Sequence, residues 1–106
     1  MDVTITALHC TVPDSIRELT ERRMAGLERY GRRAMSAAVS FANDHGRKTC
    51  EARIGIAGGP PRIATATAPT FRAALDLAAD RLERQLKRYQ DRRRRRRGAA
   101  PSSGTP

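Results

Sequence analysis

Two periods of apolar residues run along this chain, one of two residues and one near 3.6, and together they predict six elements. Val3-Thr4-Ile5-Thr6-Ala7 alternates apolar and polar, which predicts a half-buried strand. Thr11-Val12-Pro13-Asp14 predicts a helix start. Thr11 is placed to cap, Pro13 sits in the first turn where a missing N–H leaves nothing unpaired, and Asp14 stands at capping-box spacing. Ile16, Leu19, Met24, Leu27 and Tyr30 then form one apolar arc, so the helix is expected to run to about Arg33, with Gly31 as an early stop. Three strands follow. Ala37, Val39 and Phe41 alternate with Ala38, Ser40 and Ala42, and Cys50, Ala52, Ile54 and Ile56 alternate with Thr49, Glu51, Arg53 and Gly55. Arg62 to Ala68 carries a weaker alternation. Asn43-Asp44-His45-Gly46 has the residues that tolerate positive φ in a hairpin turn. Gly58-Gly59-Pro60-Pro61 ends the next strand, because proline cannot donate to a ladder. Pro69-Thr70 opens the last helix, whose face of Phe71, Ala74, Leu75, Ala78, Leu82, Leu86 and Tyr89 keeps helical spacing over five turns.

The predicted fold is therefore α+β, in the order β-α-β-β-β-α, with both helices packed on one face of a four-stranded sheet. Residues 1–95 read as the folded domain and residues 96–106 as a basic, linker-like tail. From Gly98 onward, Gly-Ala-Ala-Pro-Ser-Ser-Gly-Thr-Pro has linker composition and is expected to be disordered.

Composition narrows the class. At 106 residues the chain has room for one core, burying about 60–65% of its unfolded surface. With 39% apolar residues, no Trp, two Phe and two Tyr, that core must be thin and mainly aliphatic. No apolar run approaches the ~18–20 residues of a membrane span. The first residues show neither the basic nor the apolar stretch of a secretory signal. A small cytoplasmic domain with no membrane partner is expected.

Charge changes the picture more. The formal net charge is +10, yet residues 81–97 alone hold ten basic and two acidic residues, leaving the rest near neutrality. Every basic residue except Lys48 and Lys87 is arginine, whose planar fork suits phosphate and stacks on bases. At about 100° per residue, Arg81, Arg84, Arg88 and Arg92 share one stripe of the second helix. Asp76, Asp80 and Glu83 occupy the opposite flank, with Lys87 nearby. Interspersed charges would serve solubility, so this segregation points to a phosphate-bearing partner. The plain alternative is a solvated face. On the first helix Arg22, Arg29 and Arg33 share a stripe, while Arg17, Glu21, Glu28 and Arg32 form a mixed face that can pair internally. Arg23 falls inside the apolar arc, which predicts a half-buried stem with its head at an edge. Helices packed side by side would let the two stripes border one groove. The run Arg92–Arg97 either extends that surface or is a solvated arm.

Catalytic chemistry has little to work with. His9 and Cys10 are neighbours on an extended segment and point to opposite faces. His45 reads as a turn residue and Cys50 as a buried structural thiol. Two His and two scattered Cys supply neither a disulfide scaffold nor a metal site. Gly58-Gly59 cannot cradle a phosphate as a helix entry, because a strand follows. No catalytic residue, metal, cofactor or small-molecule substrate is expected.

Met1-Asp2-Val3-Thr4-Ile5-Thr6, Leu27-Glu28-Arg29-Tyr30, Gly58-Gly59 and above all Ala73-Ala74-Leu75-Asp76 with Asp80-Arg81-Leu82-Glu83-Arg84-Gln85-Leu86 form a recurring set. Over about residues 1–95 the chain resembles the ribosome hibernation-promoting factors, also called ribosome-associated inhibitor or sigma-54 modulation proteins. The resemblance implies a β-α-β-β-β-α fold related to the double-stranded-RNA-binding domain. It implies binding to the small (30S) ribosomal subunit in the mRNA and tRNA channel, through 16S rRNA. Translation would be inhibited under stress or in stationary phase, and inactive ribosome dimers promoted or modulated. By matching position the contacts would be Arg23, Arg29, Arg81, Arg84, Arg88 and Arg92, with Arg22 and Arg33 added from their stripe and Lys87 from the same helix. Thr70-Phe71-Arg72 stands where the family commonly has an Asp-Met-Tyr triplet, and Gly26 where a Lys is frequent. Long members dimerise through a second domain after a flexible linker, so the linker-like end here fits a short member or the first domain of a long one. Two other readings are a general binder of structured or double-stranded RNA, and a protein-interaction module that recruits a partner, including its own missing C-terminal domain.

Overall fold

The computed structural model describes the backbone of residues 1–30 and 34–103, and side chains of residues 1–30 and 36–92. The chain forms β1 (Asp2–Leu8), α1 (Asp14–Gly26) continued by a 3-10 turn (Leu27–Tyr30), β2 (Ala34–Asp44), β3 (Arg47–Ile56), β4 (Arg62–Ala68) and α2 (Phe71–Ser103). The strands lie in the order β1-β2-β3-β4, with β1 parallel to β2 and the other pairs antiparallel. This is the α+β order expected. Alternation decides which face is covered: Val39, Phe41, Cys50, Ala52, Ile54, Ala64 and Ala66 are buried, while Thr4, Thr6, Ala38, Glu51, Arg53 and Thr65 face outward. Both helices pack on the buried face, α2 over β3 and β4 and α1 over β1.

The hairpin between β2 and β3 is tighter than its sequence spacing implied. Asp44 pairs with Arg47, so only His45 and Gly46 turn, at φ 50 and 83. Positive φ at both central residues is the two-residue turn whose twist matches that of strands. Polar Asn43, Asp44, Arg47 and Lys48 therefore belong to the ladder, because backbone pairing rather than side-chain alternation sets where these strands end.

Thr11 does not cap α1. The N-cap is Pro13, with no side-chain cap bond, and its carbonyl accepts from the Ile16 and Arg17 N–H groups at 3.0 and 3.1 Å. Val12 is buried at 3%, which anchors the entry in the core and leaves Thr11 outside. The α-helix also stops at Gly26 rather than near Arg33. Gly26 is a poor helix former, and the tighter 3-10 turn after it buries Leu27 and brings Tyr30 against α2. Gly31 and Arg33 lie outside the described residues.

Helix α2 opens as predicted. The Thr70 hydroxyl accepts from the Ala73 N–H at 3.1 Å, and its carbonyl from Ala74 at 3.0 Å. Ala74, Leu75, Ala78, Ala79, Leu82 and Leu86 are buried against the sheet, and half-buried Tyr89 follows. The backbone then stays helical to Ser103, through the stretch whose composition predicts a disordered tail. Ala99 and Ala100 favour this extension, while Gly98 and Pro101 oppose it. Two α2 side chains close the outer edge of β4: Arg81 donates to the Thr65 carbonyl at 2.5 Å and Gln85 to that of Ile63 at 2.9 Å. Among the described residues no helix is long and apolar enough to cross a membrane.

Candidate nucleic-acid interface

The segregated charges of α2 have different destinations. The acidic flank meets α1. Arg23, held on α1 with a side chain 33% exposed, places one guanidinium nitrogen 2.9 Å from an Asp80 oxygen and another 4.0 Å from Asp76. One turn further along, Arg29 donates to Glu83 at 3.1 Å while lying 4.8 Å above the ring of Tyr30. The Tyr30 hydroxyl donates to the same Glu83 oxygen. That bond holds the Glu83 carboxyl below its ordinary 4.5, Arg29 adds to the effect, and partial burial opposes it. The same bond pushes Tyr30 above its ordinary 10.

The two arginine stripes consequently do not border one groove. A seam of carboxylates lies between them, where Asp76, Asp80 and Glu83 meet Arg23 and Arg29. Of the α1 candidates, Arg22 is exposed, Arg23 and Arg29 are engaged at the seam, and Arg33 lies outside the described residues. On α2, Arg84, Lys87, Arg88 and Arg92 are exposed. Arg81 is also exposed but turns its guanidinium to the β4 edge. The side chains of Arg93–Arg97 are outside the described residues.

The structure adds Arg62 and Gln85, which periodicity did not single out. Arg62, Gln85, Arg88, Tyr89 and Arg92 line a hollow of about 160 Å³ beside the late turns of α2. Arg62 lies 5.0 Å above the Tyr89 ring. Tyr89 reads as an apolar-face residue and Arg62 as the first residue of a strand. The available signal was topological: α2 returns antiparallel along β4, so the start of β4 comes to lie beside the end of the packed helix. A second depression, of about 380 Å³ on the open sheet face, has Arg53 as its one charged side chain.

The remaining candidates keep apart. His45 is exposed in its turn against Asp44, and Cys10 donates weakly to the Phe41 carbonyl at 3.5 Å. Cys50 is fully buried, and burial pushes its thiol up to about 12.

Comparison with known proteins follows the same lines. A ribosome hibernation promoting factor of Azotobacter vinelandii is 30% identical over 103 residues, spanning 96% of this chain and 95% of the relative. Its counterpart in Pseudomonas putida is 29% identical over 91 residues, 86% of this chain and 88% of the relative. The N-terminal domain of Thermus thermophilus Protein Y superposes with a TM-score of 0.76 at 28% identity, covering 84% of this chain and 99% of that one. A ribosomal subunit interface protein from Coxiella burnetii shares the fold, with a TM-score of 0.75 at 23% identity over 86% and 99% of the two chains. With residues 3–94 matching the family described as sigma 54 modulation protein / S30EA ribosomal protein, the chain belongs to that family.

Proposed function

We propose that this protein is a non-catalytic, cytoplasmic ribosome hibernation factor. In this reading it binds the small ribosomal subunit in the mRNA and tRNA channel through 16S rRNA phosphates, inhibits translation, and promotes or modulates inactive ribosome dimers. Residues 1–95 are the ribosome-binding unit. The observation that carries the reading is the division of α2: Asp76, Asp80 and Glu83, three of its four carboxylates, are consumed at the α1 seam, while Arg84, Lys87, Arg88 and Arg92 stay exposed and unneutralised by that seam. The names of the hibernation-promoting relatives support it.

Arg22 extends the contact surface on α1. Arg23, Arg29 and Arg81 serve it by fixing the helices and the sheet edge, and Arg23 and Arg29 join it by exchanging carboxylate for phosphate partners. Six to ten phosphate contacts make affinity fall about 10³–10⁵-fold between 50 and 200 mM salt. Co-sedimentation with small subunits tests the reading. The Arg84→Glu/Arg88→Glu/Arg92→Glu variant is expected in the supernatant, and its continued pelleting would overturn the proposal. Equal affinity for an arbitrary RNA duplex in competition gel shifts would favour general RNA binding instead.

A further inference from the structure

We propose that Arg62, Arg88 and Arg92 form a seat for a single phosphate group, with Tyr89 as the platform that orients Arg62. The proposal deepens the ribosomal reading and rests on it for the physiological source of the phosphate. Three guanidinium side chains and no carboxylate line the hollow. Like charges gathered in one concavity repel until an anion joins them. The orientation of Arg62 is set in advance, because its guanidinium lies 5.0 Å above the Tyr89 ring. Its Nε is buried and has no hydrogen-bond partner. A buried donor without an acceptor is costly, and a small shift of the side chain that opens Nε to the hollow gives it a phosphate oxygen as acceptor, whose charge also answers Arg88 and Arg92. Gln85 is committed elsewhere, since its amide nitrogen donates to the Ile63 carbonyl at 2.9 Å. It lines the hollow without bringing a competing charge.

Size restricts the ligand further. Pockets for whole small molecules run to about 300–1,000 Å³, and this one is about 160 Å³. It takes one group while the rest of the ligand stays outside. That fits a phosphodiester of an extended RNA strand, held at one link of its backbone, and it places a β4 residue in a surface otherwise made of helices.

The test uses the full, ¹⁵N-labelled chain and follows arginine Nε–Hε resonances during titration with hexauridylate and, separately, with inorganic phosphate. The Arg62 resonance is expected to shift saturably with hexauridylate. Saturation by hexauridylate alone identifies the RNA backbone as the ligand, and saturation by both shows that the phosphate group suffices. Arg62→Gln should weaken hexauridylate binding at least about tenfold, the range for removing a charge-assisted hydrogen bond. Arg62→Lys should not restore it, because lysine lacks the planar Nε–H. Arg47→Gln, at the far end of β3, is the charge-matched control and should leave binding unchanged. Unaltered amide spectra of the variants establish that they fold. An immobile Arg62 resonance, or wild-type affinity in Arg62→Gln or Arg62→Lys, overturns the seat. Failure of the ribosomal reading looks different: the wild-type chain would not sediment with small subunits although the Arg62 shift persists.

Discussion

Glu83 shows how much one residue can be asked to do. A single carboxylate oxygen accepts from both Tyr30 and Arg29, and so ties the end of α1 to the middle of α2. Because these bonds lower the Glu83 pKa, its contribution to stability is present above the ordinary 4.5 and is lost as pH falls through its lower folded value. The raised Tyr30 contributes below its ordinary 10 and ceases to as pH rises through its higher folded value. Tyr30→Phe is therefore expected to move the Glu83 titration midpoint upward, measured from its carboxyl ¹³C shift. The two thiols also differ. Cys50, with its thiol pushed up to about 12, should resist alkylation at pH 8 until the protein unfolds, while half-exposed Cys10 reacts in the native state. Mass spectrometry of the labelled peptides checks this. At this scale the sequence was legible wherever one residue's own position sufficed. Arg23 could be read as a half-buried stem from the helical wheel alone. Its partner Asp80 lies 57 residues away, and no local pattern reports such a pairing.

Among the elements, α2 was the most legible, because a long helix packed on one face writes its burial at period 3.6 and its start in a Thr cap. Thr70→Ala is expected to cost about 0.5–2 kcal/mol, read from chemical denaturation midpoints at constant slope. Helix α1 was less legible. Pro13 and Val12 together redirect its entry, and Gly26 converts its last turn to a 3-10 turn whose apolar spacing mimics continued α-helix. The interhelical pair of Arg23 and Asp80 is only partly shielded, with side chains 33% and 55% exposed. A double-mutant cycle should return about 1 kcal/mol or less, shrinking with added salt. Charge segregation on α2, which the sequence offered as a sign of a partner, turned out to have an internal cause as well, the seam with α1.

For the whole molecule, the helix reaches well past its packed turns. Among the described residues the last buried side chain on α2 is Leu86, with Tyr89 half buried, while its 33 residues span roughly 50 Å at 1.5 Å each. Truncation after Arg92 should therefore leave the thermal midpoint unchanged. The salt dependence of ribosome binding should become shallower, by about 0.9 in log–log slope for each phosphate that the arginine run no longer neutralises. Phe41 lies at the other extreme, fully buried and edge-on to Phe71 with ring centroids 5.6 Å apart. A loss of about 3–5 kcal/mol in Phe41→Ala would consume much of a small domain's stability. The sheet itself has unequal sides. Arg81 and Gln85 occupy carbonyls along β4, whereas among the described residues β1 has no neighbour on its outer side. A ribbon of sheets can lengthen indefinitely only when both margins accept another strand. With one margin stoppered, any strand-to-strand association between molecules terminates at a pair. The helix that carries the arginines thus also keeps the sheet from becoming a link in an open-ended chain of sheets.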